Sequence, residues 1–128
     1  MQGINAGDTA WILVCCSLVL LMTPGLAFFY GGMVRKKNLL STLTLSYVFM
    51  ALMGVQWLLF GYTLSFGPDI GGFIGGLDFL GFNKVGLTPS PDYGPTIPHQ
   101  VFASFQMMFA VITPALITGA FVERVRFK

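Results

Sequence analysis

The chain has 128 residues, of which 55% are hydrophobic and only 9% charged, with a mean hydropathy of +0.76. A soluble domain carries roughly a quarter charged residues, and seven Lys/Arg with five Asp/Glu cannot cover the surface of a soluble fold of this size. The composition therefore excludes an ordinary soluble globular domain and indicates a membrane protein.

Three long uncharged stretches run through the chain. They are the 26 residues between Asp8 and Arg35, the 31 between Lys37 and Asp69, and the 30 between Asp92 and Glu123. Each exceeds the roughly 20 apolar residues that cross about 30 Å of hydrocarbon. We therefore predict an all-α membrane protein with transmembrane helices at about residues 10–34, 39–66 and 98–122, and a loop at residues 67–97.

The first predicted span, residues 10–34, is expected to be retained as a helix, because no basic segment of the signal-peptide kind precedes it. Pro24 near its middle predicts a kink, and the Thr23 hydroxyl is a candidate partner for a backbone group that the kink leaves free. The adjacent Cys15 and Cys16 are interpreted as small packing residues rather than as a disulfide or a metal site.

Basic residues determine the predicted orientation. Six of the seven Lys and Arg residues lie in the turn between the first two spans or after the third: Arg35, Lys36, Lys37, Arg124, Arg126 and Lys128. Basic residues are enriched on the cytoplasmic side of a membrane. We therefore predict a multi-pass plasma-membrane protein whose N-terminus and 67–97 loop face the outside.

The loop at residues 67–97 contains too many glycines and prolines to form a fourth span. The pairs Gly71-Gly72 and Gly75-Gly76 suggest a glycine-rich phosphate loop as an alternative, but no Gly-Lys-Ser/Thr follows them. We expect instead an external cap with one short helical or extended piece around residues 73–82.

The third span carries an apolar and aromatic face. Its members recur at spacings of three and four: Phe102, Phe105, Phe109, Ile112 and Leu116. Phe105 and Phe109 are expected to stack their rings on one side of the helix. Ordinary packing is the simplest interpretation of this pair. The alternative is a cation site, because ring faces attract ammonium-like ions, most strongly where water is excluded.

Small residues four apart occur in the first and third spans, as Ala27 with Gly31 and Ala115 with Gly119. Such pairs let helix backbones approach closely, so these spans are expected to pack against neighbouring helices. No charged side chain lies within any of the three predicted spans, which argues against a cation pathway built from buried carboxylates.

Three stretches resemble the ammonium transporter, methylammonium permease and Rh-type channel family. Residues 23–38 read TPGLAFFYGGMVRKKN, similar to the end of the family's first helix with its basic turn. Residues 57–67 read WLLFGYTLSFG, and residues 105–124 read FQMMFAVITPALITGAFVER. The resemblance covers most of the chain in the family's order, and only the 67–97 loop is idiosyncratic.

The resemblance implies the first three helices of an inverted-repeat, eleven-helix fold that assembles as a homotrimer. It also implies a transport path. Ammonium, or methylammonium as its analogue, is recruited at an external aromatic vestibule, loses its proton at a phenylalanine gate and crosses an apolar pore past two histidines. Phe105 matches a vestibule aromatic and Phe109 the phenylalanine between vestibule and gate, while Leu26 and Leu116 match pore-lining positions. The implied partners are the lipid bilayer and a cytoplasmic PII-type regulatory protein, with no cofactor.

The family's two pore histidines have no match in this chain. His99 is the only histidine, and it follows Pro98 at the external start of the third span. We interpret it as a solvated interfacial residue, with a minor pH-sensitive group at the pore mouth as the alternative.

Two other functions remain open: the resemblance also implies an ammonium sensor built on the same fold as an alternative, and a three-helix structural subunit of a membrane complex is the alternative from another class. An enzyme is not expected, since no nucleophile–base pair, paired carboxylates or metal-ligand spacing occurs in the sequence. Nucleic-acid binding is not expected either, because the net charge of +2 reflects membrane topology.

Overall fold

The computed structural model describes residues 3–124. Three helices in it are long and apolar enough to cross a membrane: Ala6–Met33, Lys36–Phe66 and His99–Phe121. The predicted class, a mainly helical membrane protein with three spans, is thereby confirmed. Four short strands lie in the connection between the second and third spans.

The first span is helix α1 (Ala6–Met33), which begins at an Asn5 cap. The Asn5 side-chain oxygen accepts hydrogen bonds from the Gly7 N–H at 2.8 Å and the Asp8 N–H at 3.2 Å, which satisfies two backbone donors at the helix start. Pro24 lies inside the helix. The expected role of Thr23 is wrong: its buried hydroxyl has no hydrogen-bond partner within residues 3–124.

The second span is not a uniform α-helix. It consists of α2 (Leu39–Gln56), a π-helical turn (Trp57–Gly61) and α3 (Tyr62–Phe66). In the π turn the Tyr62 N–H donates to the Trp57 carbonyl, five residues back rather than four. The sequence pattern did not predict this turn.

The connection forms two antiparallel hairpins, β1 (Asp69–Ile70) with β2 (Ile74–Gly75) and β3 (Pro89–Ser90) with β4 (Gly94–Pro98). A 3-10 turn, Leu80–Phe82, lies between them. The expectation of one short piece was therefore too simple.

The end of the second span holds this connection in place. The Thr63 hydroxyl donates to the Gly76 carbonyl at 2.6 Å and accepts from the Phe79 N–H at 3.1 Å. A Cβ at Gly75 would lie 2.5 Å from the Thr63 carbonyl oxygen, so glycine here permits a close backbone approach. This packing gives the glycine pair a structural role.

The third span is helix α4 (His99–Phe121), which packs against both other spans. Its buried residues lie mainly on the side that faces them: Ala103, Met108, Val111, Ile112, Ala115 and Thr118. Ala27 and Ala115 are fully buried, as expected for small residues at close helix contacts. The Tyr30 hydroxyl donates to the Leu116 carbonyl at 3.1 Å and joins α1 to α4.

The molecule has two ends of different character. At the loop end, the Asn5 N–H donates to the Thr96 carbonyl at 2.8 Å, so the start of α1 lies beside the hairpins. At the basic end, the Glu123 carboxylate accepts from the Arg35 N–H at 2.9 Å and from the Asn38 amide at 2.8 Å. The acidic side chain thus joins the end of α4 to the basic turn between α1 and α2.

Candidate functional site

Phe105 and Phe109 lie together on α4, in the half of the helix towards the loop end. Their ring centroids are 5.2 Å apart with an interplanar angle of 87°. The rings therefore meet edge to face rather than in the stacked arrangement that we expected, which is a favoured geometry for aromatic pairs. In this arrangement the face of one ring can be approached by a ligand while its neighbour supports it from the side.

The side of α4 that carries this pair is open. Phe109 is 41% exposed and Leu116 is 50% exposed, although both are large apolar residues. Residues seven apart return to nearly the same side of an α-helix, so Phe109 and Leu116 form one apolar strip. This strip points away from the first two spans, and lipid or further protein must cover it.

Leu26 lies on α1 and is half-buried. It is one helical turn before Tyr30, whose hydroxyl reaches the Leu116 backbone, and residues four apart share a helix face. Leu26 is therefore on the side of α1 that approaches α4. The Leu116 side chain lies on the open strip with Phe109, and only its backbone carbonyl meets α1 through Tyr30. Phe105 and Phe109 lie further along α4 towards the loop end.

An aromatic cluster fills the loop end behind this site, and Tyr62 is at its centre. Its ring is fully buried and has centroids 5.3–5.8 Å from those of Trp57, Phe66, Phe79, Phe82 and His99. Tyr93 from the second hairpin stacks on Phe102 of α4 at 5.4 Å. This packing attaches the two hairpins to the start of α4.

His99 is a member of that cluster, and its interpretation as a solvated residue is wrong. The side chain is only 5% exposed, and its Nε2 atom forms a 2.5 Å hydrogen bond with the Tyr62 hydroxyl. The hairpins cover the first turn of α4 and remove the ring from water. The position of His99 beside Pro98 at the end of a span did not predict its burial, because that burial depends on how the 67–97 connection folds back over α4.

Trp57 provides the second polar contact between the second and third spans. Its ring is 7% exposed, and its Nε1–H donates to the Ala103 carbonyl at 3.1 Å. Sequence reasoning singled out Trp57 only as part of a motif and gave Tyr62 no role. Both residues could have been singled out from the sequence, because the N–H of a tryptophan or the O–H of a tyrosine within an apolar span usually needs a hydrogen-bond partner.

The basic end is chemically separate from the phenylalanine pair. Hydrogen bonds from the Arg35 backbone N–H and the Asn38 side chain hold the pKa of Glu123 below its ordinary value. A cavity of about 600 Å³ opens here, lined by Tyr30, Arg35, Asn38, Gly119 and Glu123 among others. The cavity lies near the other end of α4 from Phe105.

Three apolar spans, charges gathered at their ends and an aromatic pair on an open helix face define a segment of a multi-span membrane protein. A class this broad includes channels, transporters and receptors. The family described as Ammonium Transporter Family matches residues 10–128. The chain therefore belongs to the ammonium transporter family, which is a family of transporters rather than enzymes.

Individual relatives agree with this membership. The chain is 54% identical over 121 residues to an ammonium transporter of Bacillus subtilis, covering 94% of this chain and 30% of the relative. It is 49% identical over 126 residues to a putative ammonium transporter of Methanothermobacter thermautotrophicus, covering 98% of this chain and 31% of that protein. The chain thus spans slightly less than a third of the length of these relatives.

Solved structures give the same fold. The crystal structure of Saccharomyces cerevisiae Mep2 matches with a TM-score of 0.83 and 38% identity, over 97% of this chain and 29% of that one. Candida albicans Mep2 matches with a TM-score of 0.84 and 33% identity, over 97% of this chain and 27% of that one. The three spans and their connection therefore correspond to part of the Mep2 fold.

Proposed function

We propose that residues 1–128 are the N-terminal part of a single transporter domain, which carries ammonium or ammonia across the plasma membrane. Family membership supports the substrate. The observation that carries the site is the edge-to-face pair of Phe105 and Phe109 on the open side of α4. In this proposal, Phe105 belongs to an external vestibule that recruits ammonium, and Phe109 lies between the vestibule and the gate.

The recruiting step follows from the chemistry of aromatic rings. A ring face attracts a monovalent cation with about 0.5–1 kcal/mol where exposed and about 2 kcal/mol or more where water is excluded. The 87° angle between the two rings leaves the face of one ring available beside the edge of the other. Ammonium is small and carries one charge, which suits such a site without a carboxylate.

The crossing step requires loss of the proton. An ion pays a large desolvation penalty in a low dielectric, whereas a neutral amine pays only about the transfer cost of a polar group, a few kcal/mol. Leu26 and Leu116 would line this apolar passage in the proposal. Leu116 is half exposed on the same open strip as Phe109, and Leu26 lies one helical turn before Tyr30, whose hydroxyl reaches the Leu116 backbone; both observations support the assignment.

The orientation belongs to the same proposal. The N-terminus and the hairpins would face outside, with the Arg35 turn and Glu123 in the cytoplasm, because basic residues favour that side. The close approach of the α1 start to β4, and of Glu123 to the Arg35 turn, supports this arrangement of the two ends.

The proposal extends to a homotrimer and to a PII-type regulator on the cytoplasmic side, both on family resemblance alone. The molar mass of the purified gene product in detergent, after correction for bound detergent, tests the first. A monomeric mass would contradict it. Co-purification with the host's PII-type protein tests the second, and its absence under nitrogen limitation and nitrogen excess alike would contradict it.

The test of transport uses labelled methylammonium uptake by the whole gene product in cells that lack their own ammonium transporters. We expect Phe109→Ala to raise the KM by roughly 2- to 30-fold, the range that corresponds to loss of one cation–ring contact, or to change the preference between ammonium and methylammonium. Phe73→Ala is the matched control, because Phe73 is 92% exposed in the connection and belongs to no proposed site.

Two results would count against the proposal. A gene product that is present in the membrane but takes up no methylammonium contradicts transport itself. An unchanged KM and selectivity in Phe109→Ala, at normal protein amounts, contradicts only the assigned role of the ring. The second result would leave transport intact and remove Phe109 from the proposed site.

A further inference from the structure

The π turn in the second span brings two polar-tipped aromatic residues to one side of the helix. Trp57 and Tyr62 are five residues apart, which on a regular α-helix would place them about 140° apart around the axis. The turn closes with the Tyr62 N–H on the Trp57 carbonyl, so the two residues lie one above the other. Their ring centroids are 5.8 Å apart.

Both residues bond to the same side of α4. The Trp57 Nε1–H donates to the Ala103 carbonyl, and the Tyr62 hydroxyl bonds to the His99 ring. His99 and Ala103 are four residues apart and therefore share a face of α4. The two aromatic residues on the second span are five residues apart, whereas their partners on α4 are four residues apart. The π turn brings the two aromatic residues to one side of their helix, so that both can reach α4.

The local sequence accommodates this arrangement at Gly61. A Cβ at this position would lie 2.9 Å from the Gln56 Oε1 atom and 3.1 Å from the Trp57 Cε3 atom. A side chain there would displace the Trp57 ring or the Gln56 amide. Glycine at position 61 therefore leaves room for the Trp57 ring to lie beside its own helix while its N–H is directed at α4.

The contacts lie close to the proposed ammonium site along α4. Ala103 is two residues before Phe105, and Phe109 follows one turn later. Phe109 is on the open side of α4, where its described ring contact is with Phe105 alone. The position of the pair therefore depends on the backbone of α4, and the two polar contacts to the second span fix that backbone at its loop end.

We propose that Trp57 and Tyr62 are positioning residues for ammonium recruitment, which act through the Ala103 carbonyl and the His99 ring to place Phe105 and Phe109. This inference rests on the proposed function. Both hydrogen bonds are buried, so water cannot replace them when one partner is removed. The π turn is then a device for aligning two spans at the mouth of the pathway.

The first experiment measures methylammonium uptake by the whole gene product carrying Trp57→Phe, which keeps an aromatic ring but removes the N–H donor together with part of the indole. We expect the KM to rise by up to roughly five-fold, the limit set by the energy of one buried hydrogen bond, while the maximal rate per transporter at the surface changes by less than about two-fold. Trp11→Phe is the matched control, since Trp11 is the other tryptophan and is 68% exposed.

The second experiment removes the other contact. Tyr62→Phe keeps the ring and deletes the hydroxyl that bonds to His99, and Tyr47→Phe on the same span is its control because Tyr47 is 47% exposed. We expect Tyr62→Phe to raise the KM in the same direction as Trp57→Phe. If Tyr62→Phe does not reach the membrane, the Trp57→Phe result alone decides.

A double-mutant cycle separates positioning from simple support of the fold. If Trp57 acts through the phenylalanine pair, Trp57→Phe will raise the KM less than about 1.5-fold further in a Phe105→Ala background. A residue that only supports folding would lower the amount of transporter and the maximal rate, leave the KM unchanged, and give additive effects. Either of those outcomes overturns the inference.

Failure of the proposed function gives a different pattern. If neither the unmodified protein nor the Trp11→Phe control takes up methylammonium, transport itself is contradicted and this inference falls with it. If both transport normally and the KM of Trp57→Phe equals theirs, only the positioning role is overturned.

Discussion

Gly119 is a position within the third span where the addition of one methyl group is expected to lower stability. A Cβ there would lie 2.7 Å from Cε1, 2.8 Å from Cζ and 2.9 Å from the hydroxyl oxygen of Tyr30. The Tyr30 ring cannot easily move, because its hydroxyl is bonded to the Leu116 carbonyl. Gly119→Ala should therefore lower the free energy of unfolding by about 1–3 kcal/mol, the usual cost of inserting a methyl group into packed surroundings.

Gly31 provides the matched control. A Cβ at Gly31 would lie just as close, 2.7 Å, to an atom of another residue, but that atom is the Cδ1 methyl of Leu39. Leu39 is 40% exposed and its side chain can rotate away. Gly31→Ala should therefore change the free energy of unfolding by less than about 1 kcal/mol. The two substitutions can be compared directly, because both gain the same helix propensity.

The assay is detergent-driven unfolding of the whole gene product in mixed lipid–detergent micelles, followed by tryptophan fluorescence. In a Tyr30→Ala background, the additional effect of Gly119→Ala should vanish, because the obstructing ring is gone. Burial alone ranks the two glycines the other way, since Gly31 is buried and Gly119 is exposed. A larger loss of stability for Gly31→Ala than for Gly119→Ala would refute the reasoning.

Two further predictions concern the ends of the molecule. Hydrogen bonds to the Glu123 carboxylate lower its pKa. Their stabilising effect is therefore present above the unfolded-state pKa of about 4.3 and is lost as the pH falls through the folded-state pKa. Glu123→Gln should speed amide exchange of Arg35 at neutral pH, and an unchanged exchange rate would contradict this. For orientation, a cysteine introduced at Phe73 in a variant with Cys15 and Cys16 replaced by serine should react with an impermeant thiol reagent on intact cells, whereas one at Lys37 should react only after lysis; the reverse pattern would contradict an outside N-terminus.

The three spans were predictable because they depend on composition. Charges are absent over stretches long enough to cross a bilayer, and a helix satisfies the backbone groups of such a stretch within the stretch itself. The burial of Ala27 and Ala115 was predictable for a similar reason, since small residues four apart leave room for a neighbouring helix.

The details at the loop end were not predictable from composition or period. The π turn at Trp57–Gly61 coincides with the contacts of Trp57 and Tyr62 to α4, which is distant in sequence, so the apolar pattern of the second span gives no sign of it. The burial of His99 depends on hairpins that fold back over it. The Thr23 hydroxyl, which has no hydrogen-bond partner among the described residues 3–124, was not predictable either, because a hydrophobic pattern does not specify which polar groups meet.

The candidate site residues were predicted from the family's motifs, and the structure adds the contacts that these residues make. The spacing of Phe105 and Phe109 places them on one side of a helix, but their edge-to-face contact depends on side-chain rotation. Trp57 and Tyr62 lie in a matched stretch without an assigned role, and only their bonds to α4 suggest one.

A structure of the whole gene product, determined by electron microscopy with and without methylammonium, tests the central claim most directly. The account predicts ligand density within about 6 Å of the ring centroid of Phe105 or Phe109, in a mouth on the same side as the hairpins. Rings of Phe105 and Phe109 that face the lipid, with ligand density elsewhere or absent from this mouth, would contradict it.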